Sequence, residues 1–297
     1  MQLTADNLTD LSQHAISAAK EAGALIESYA SKTVDAEHKS GGDSPASQVV
    51  TEVDLLCDAL ITKRLIPTCE EYDLALLTEE TEDDKARLHK HAFWCLDPLD
   101  GTLSFVQSIH GYSVSIALVA QSGEPLIGVI YDPVTQTLYH AVKGQGVFRN
   151  GEPWTLSPIS NESKTLSVIV DLGCLKISCY QELSKGMEAV AIKHGCKGVH
   201  VFEQNGAALN ACWVLENSPA SYVKCPKPNK GGGSVWDFSA SAAIFNEIGA
   251  IASDVHGQAL DLNRSDSTFM NHRGVIFAID KSLAEDIQGL ISRNSES

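Results

Sequence analysis

Between residues 91 and 144 the chain runs through four apolar segments, HAFWCLD, YSVSIALVAQ, PLIGVIYDP and TLYHAVKG. The last three are separated only by the turn signals SGEP and DPVTQ. Connections this short cannot carry a crossover helix, so neighbouring strands must pair antiparallel. GQGVFRNGEPW extends the series, with Asn150-Gly151 marking a hairpin turn. A meander of this kind excludes a regular alternation of strand and helix for this half of the chain.

Helical signals lie on either side. Leu8, Leu11, Ala15, Ala18, Ala22, Leu25 and Tyr29 step by three and four, one apolar stripe on a helix. HKSGGDSPASQ reads as a loop, and VVTEVD as a short strand ending at Asp54. LLCDALITKRLIP then reads as a helix with Asp54 as N-cap and Pro67 as its stop. LALLTEE is a short strand, and the acidic run TEETEDDKARLHKH after it reads as solvated surface.

Composition changes near LSPISNESK, which suggests a boundary at about residue 157 between halves 1–157 and 158–297. In the second half strands are expected at TLSVIV, GVHVF and ASYVKC, with helices at 179–194 and from about 205. KPNKGGGS reads as a loop, and WDFSASAAIFNEIGA as a small-residue helix that Asp237 could cap. Strands at 251–254, near 260 and at GVIFAID, and a last helix, complete an α+β chain in two layered halves.

A chain of 297 residues with 43% hydrophobic content can bury a large core. Its net charge of −16 repels nucleic acid polymers and anionic membranes. Handling an anion therefore requires local positive charge, from lysines or a metal. The eight cysteines show no C-x-x-C spacing, so separate buried thiols are expected rather than a disulfide framework or a zinc site. The start, MQLTADNLTDLSQH, has neither a basic nor an apolar leader region, and no apolar run nears the ~18 residues of a membrane span. The expectation is a reduced, cytoplasmic protein without membrane attachment.

Chemistry concentrates in WCLDPLDGTLSF, residues 94–105, where Asp97 and Asp100 flank Pro98-Leu99 at the end of an apolar run. Residues three apart on a regular strand point to opposite faces. Pro98 interrupts the pairing, so the chain can turn and bring both carboxylates to one side. Without a cation two such groups repel and raise one another's pKa. Mg2+, which takes oxygen ligands, removes that conflict, and no cluster of His or Cys stands alongside to favour zinc. Asp54, Glu79 and Asp237 also lie at strand ends or helix starts, although Asp54 and Asp237 read equally well as ordinary N-caps.

DPLDGT with an aromatic at 105 resembles the signature of the inositol monophosphatase superfamily, Mg2+-dependent, lithium-sensitive phosphatases. VVTEVD, LTEE, GYSVSIALV…GVIYDP, NGAALNACWV and WDFSASAAIFNEIGA are similar to further family blocks in the same order, over roughly residues 8 to 280. The resemblance implies a layered α-β-α-β-α sandwich, usually a homodimer, acting on a small-molecule phosphate ester. It implies that Glu79, Asp97 and the Leu99 carbonyl hold one Mg2+, that Asp97, Asp100 and Asp237 hold a second, and that Glu79 serves a weaker third. Thr102, paired with Asp54, would polarise the attacking water. The Gly101 and Thr102 amides would face the phosphate, and the backbone around Ala208 the rest of the substrate.

Two stretches depart from the family pattern. LSF follows Thr102 where the family has asparagine-phenylalanine, so Ser104 replaces an amide. In SYVKCPKPNKGGGSVW the family's glutamate, which accepts hydrogen bonds from ring hydroxyls, is missing, and Lys224, Lys227 and Lys230 stand instead. As a surface loop this segment would have no substrate role. As a functional loop, Lys227 and Lys230 would meet a second anionic group. The expected activity is hydrolysis of a small alcohol phosphate such as an inositol monophosphate. The alternatives are a 3'(2'),5'-bisphosphate nucleotidase or sugar bisphosphatase, and a non-catalytic regulatory relative.

Overall fold

The computed structural model describes residues 3–29, 36–38, 49–156, 164–172, 174–176, 178–204 and 206–295. Most of the loop expected at HKSGGDSPASQ and the boundary near residue 157 lie outside the described residues. The first half contains α1 (Ala5–Tyr29), β1 (Ala36–His38), β2 (Val49–Thr51), α2 (Glu52–Tyr72), β3 (Ala75–Thr78), β4 (Ala92–Asp100) and α3 (Thr102–Val106). It continues through β5 (Ser113–Ala120), β6 (Pro125–Asp132), β7 (Thr137–Val142), β8 (Gly146–Arg149) and β9 (Glu152–Pro153). The second half has β10 (Leu166–Asp171), α4 (Ser178–Lys193), β11 (Val199–Gln204), α5 (Ala207–Glu216) and β12 (Ala220–Lys224). It ends with α6 (Val235–Ile248), β13 (Ile251–Ser253), β14 (Val275–Ala278) and α7 (Lys281–Ser295).

The meander is one seven-stranded sheet in order β3-β4-β5-β6-β7-β8-β9, antiparallel except for the β3–β4 pair. A second sheet has order β11-β10-β12-β14-β13. Helices α1 and α2 cover one face of the first sheet, α5 and α6 lie between the sheets, and α4 and α7 cover the far side. The molecule is thus the expected five-layered α-β-α-β-α sandwich.

Strand alternation explains why the apolar runs look unbroken. Ala92, Trp94 and Leu96 of β4 join the core on the side covered by α2, with Ile61 and Leu65, whereas Phe93 and Cys95 face the core shared with α6 and the second sheet. Both faces are buried, so polar residues have no place on the strand until it ends. Among the described residues no helix is long and apolar enough to cross a membrane.

Several local expectations are corrected. Helix α2 starts at Glu52 and continues through Pro67 to Tyr72, so Asp54 sits inside its first turn and Pro67 does not stop it. Proline forfeits one helical hydrogen bond, and the buried stripe continuing through Thr68 and Tyr72 holds the last turn in place. The N-cap of α6 is Ser234, with Asp237 three residues in. Near residue 260 there is only an isolated bridge, Ser253 to Ala259. Within the acidic run Arg87 is 1% exposed, paired with Asp83 and Asn263. Cys179 and Cys225 form a disulfide across 46 residues, a pairing that spacing alone does not show because α4 and the end of β12 meet only in the fold.

Candidate metal centre and active site

The site is built on the end of β4. The β4–β5 register runs Asp97 to Ser115 and then Asp100 to Ser113, so three steps on one strand match two on the other. This bulge at Pro98-Leu99 absorbs the odd spacing and turns both carboxylates to one side. Asp97 Oδ1 accepts the Leu99 N–H at 3.0 Å, which fixes the turn from inside. Asp237, in the first turn of α6, completes the group: one carboxylate oxygen from each of Asp97, Asp100 and Asp237 lies within 4.8 Å of the others. Asp237 Oδ2 also accepts the Ser234 N–H at 2.5 Å.

Asp97 and Asp100 are buried. Burial, then the charges of Glu79, Asp100 and Asp237, push the Asp97 carboxyl well above the usual carboxylate range. Burial and Asp237 push Asp100 up, opposed by the amides of Ala208 and Ala207 and by Lys224. Asp237 is pushed up to about 6 by burial and by Glu79. Three acids resisting ionisation in one group, Asp97 and Asp100 buried and Asp237 half-buried, call for a positive charge. Hard oxygen donors without His or Cys suit Mg2+, so the residues fit that ion.

Glu79 follows the last residue of β3, and its N–H donates to Leu96 O at 3.2 Å. That parallel pairing brings it beside Asp97, as its field on Asp97 and Asp237 attests. Thr102 opens α3, its Oγ1 lying 3.1 Å from Leu99 O and 3.4 Å from Asp54 Oδ1. Gly101 turns the chain at φ 85°, where a side chain would collide with the Gly111 carbonyl. Gly206 approaches the same oxygen, so α5 can dock its first turn on Asp100. The amides of Ala207 and Ala208 donate to Asp100 at 3.0 and 2.7 Å. Ala208 is fully buried, and its N–H is taken by Asp100 rather than turned outward.

The lysine loop is pinned at both ends. Lys227 N–H donates to Asn271 O at 2.8 Å, Asn271 Nδ2 donates to Lys227 O at 3.0 Å, and Met270 N–H donates to Gly233 O at 3.0 Å. The Lys227 side chain lies against Gly232, and Lys230 is exposed. The cation whose field reaches Asp100 and Asp237 is Lys224. Its Nζ is 2.6 Å from Asp171 Oδ2 and 5.2 Å from the Phe238 ring centroid, and its side chain is 12% exposed. Tyr222 donates to the other Asp171 oxygen at 2.7 Å. The sequence signal that sets Lys224 apart from Lys227 and Lys230 is its position at the end of the apolar strand ASYVK, before the loop begins.

Residues 7–295 match the model of the inositol monophosphatase family. The chain is 31% identical to inositol monophosphatase 2 of Solanum lycopersicum, over 84% of this chain and 88% of that protein. It is 30% identical to the 3'(2'),5'-bisphosphate nucleotidase CysQ of Salmonella typhimurium, over 77% of this chain and 83% of that protein. Among solved structures, an inositol monophosphatase from Anabaena superposes with a TM-score of 0.68, covering 97% of each chain at 22% identity, a likeness in fold.

Proposed function

The chain belongs to the inositol monophosphatase family, and from that premise we propose that it is a Mg2+-dependent phosphomonoesterase. It hydrolyses a small alcohol phosphate, of the inositol monophosphate kind, to the alcohol and inorganic phosphate. The observation that carries this reading is the group of carboxylate oxygens from buried Asp97 and Asp100 and half-buried Asp237, all within 4.8 Å. In this reading Glu79, Asp97 and the Leu99 carbonyl hold one ion, Asp97, Asp100 and Asp237 a second, and Glu79 contributes to a third. When bound, Mg2+ neutralises the phosphate and makes a coordinated water easier to deprotonate.

The chain's own groups do the orienting. Thr102 has one hydroxyl proton and two acceptors, Leu99 O at 3.1 Å and Asp54 Oδ1 at 3.4 Å. With Leu99 O given to an ion in this reading, the proton goes to Asp54, which leaves an Oγ1 lone pair to accept from the attacking water. Asp54, 2% exposed, is positioned for this by the first turn of α2. Asp100 is held by two amides of α5, so its carboxylate keeps one orientation through the reaction. Gly101 and Thr102 present their amides toward the phosphate. Lithium inhibition, a homodimer and a cytoplasmic setting belong to the same proposal.

A second reading, a 3'(2'),5'-bisphosphate nucleotidase or sugar bisphosphatase, is favoured by Lys224, a partly exposed cation beside an otherwise acidic site. Lys227 and Lys230 would add charge at the rim. Phosphate release from inositol 1-phosphate and from adenosine 3',5'-bisphosphate, each with Mg2+ and with chelator, tests both. Mg2+-dependent turnover led by the inositol ester supports the first reading, and turnover led by the nucleotide supports the second. No turnover of any phosphate ester despite Mg2+ binding would favour a regulatory role.

A further inference from the structure

Helix α2 carries a second buried acid that the proposed chemistry does not use. Asp58 stands four residues after Asp54, so both side chains leave the helix on one face. Asp54 reaches Thr102, whereas Asp58 reaches Thr78, the last residue of β3. Thr78 Oγ1 donates to Asp58 Oδ1 at 2.5 Å, with Thr78 2% and Asp58 9% exposed. The same oxygen accepts the Glu80 N–H at 2.9 Å. An amide can only donate, so the hydroxyl proton is fixed toward Asp58. The Glu79 N–H meanwhile donates to Leu96 O of β4. The peptide groups on both sides of Glu79 are therefore tied, one to β4 directly and one through Thr78 to α2.

Packing does not account for an acid here. Burying a carboxylate is costly, and an apolar residue at 58 would extend the stripe of Val53, Cys57, Ile61 and Leu65 without that cost. We propose that Asp58 and Thr78 are positioning residues that hold the backbone at Glu79 so that its carboxylate faces Asp97 and Asp237. One rigid face of α2 then sets both sides of the site, Thr102 through Asp54 and Glu79 through Asp58. The inference rests on the proposed role of Glu79 as a metal ligand.

Mg2+ titrated calorimetrically into the substrate-free, full-length protein tests it, with far-ultraviolet melting curves of the metal-free variants as the check on folding. Removing the hydroxyl in Thr78→Val should weaken Mg2+ binding about 10- to 100-fold, the usual effect of losing a partner that orients a ligand. Thr78→Ser, which keeps the hydroxyl, should bind close to wild type. A role in packing alone predicts the reverse order, because valine fills the threonine volume and serine leaves a gap. At saturating Mg2+ the substrate KM of Thr78→Val should match wild type. Asp58→Asn should weaken Mg2+ binding severalfold and carries the test if Thr78→Val fails to fold. Wild-type Mg2+ affinity in folded Thr78→Val, or in Asp58→Asn, overturns the inference. Wild-type affinity in Glu79→Gln overturns instead the assignment of Glu79 as a ligand, so the two failures are distinct.

Discussion

Asp97 is the residue on which the proposed site turns, because the proposal gives it to both ions and because the charges of Glu79, Asp100 and Asp237 all act on its carboxyl. Asp97→Asn should abolish Mg2+-dependent phosphate release and weaken Mg2+ binding by calorimetry; unchanged values for both would undo the metal roles. The carboxylate group also predicts an unusual pH response. Its pKa values are raised in the folded protein, with Asp237 at about 6, so the folded state binds more protons than the unfolded one across that window. Metal-free protein should therefore lose stability as pH rises from the ordinary carboxylate range, about 4, through about 6. Melting in chelator at about pH 5 and about pH 7.5 should show the lower Tm at the higher pH. Saturating Mg2+ should narrow or reverse the difference, since the ions then replace the protons.

At the scale of elements, a bulge, a glycine turn and two helix starts convert a strand end into a site. The β4 bulge orients Asp97 and Asp100, Gly101 redirects the chain into α3, and the first turns of α5 and α6 bring Asp100 its amides and the site its Asp237. Gly101→Ala would impose a left-handed conformation on a side chain that also meets the Gly111 carbonyl. That combination should cost about 2 to 4 kcal/mol, read as a lower midpoint in urea unfolding. A midpoint within error of wild type would mean the turn has another way to form. The DPLDGT spacing was legible from the sequence because Pro98 and Gly101 signal a turn by their own backbone limits. The reach of α2 was not, because Pro67 breaks helices in isolation and here only packing keeps the last turn.

Across the whole molecule, α6 is one of the two helices, with α5, that both sheets share. It packs on β5 and β6, carries Asp237 at one end, and presents Phe245 edge-on to Phe277 of the second sheet, ring centroids 4.7 Å apart. Phe245→Ala, at a fully buried position, should lower stability by about 3 to 5 kcal/mol in denaturant unfolding. If the two sheets instead unfolded in separate transitions, with only one shifted by the substitution, the shared core would not be the unit of stability. The antiparallel meander, the amphipathic first helix and the acids gathered at the edges of elements follow from the chain's local order, because periodicity, turn residues and spacing are properties of neighbours. Packing alone sets which lysine acts on the carboxylates, that Cys225 meets Cys179, and that Asp58 reaches Thr78. The two pairs are 46 and 20 residues apart, and Lys224, at the end of β12, comes near Asp237 only once α6 has packed. No local propensity encodes such contacts; they exist only once layers pack and distant strand ends arrive at the same place.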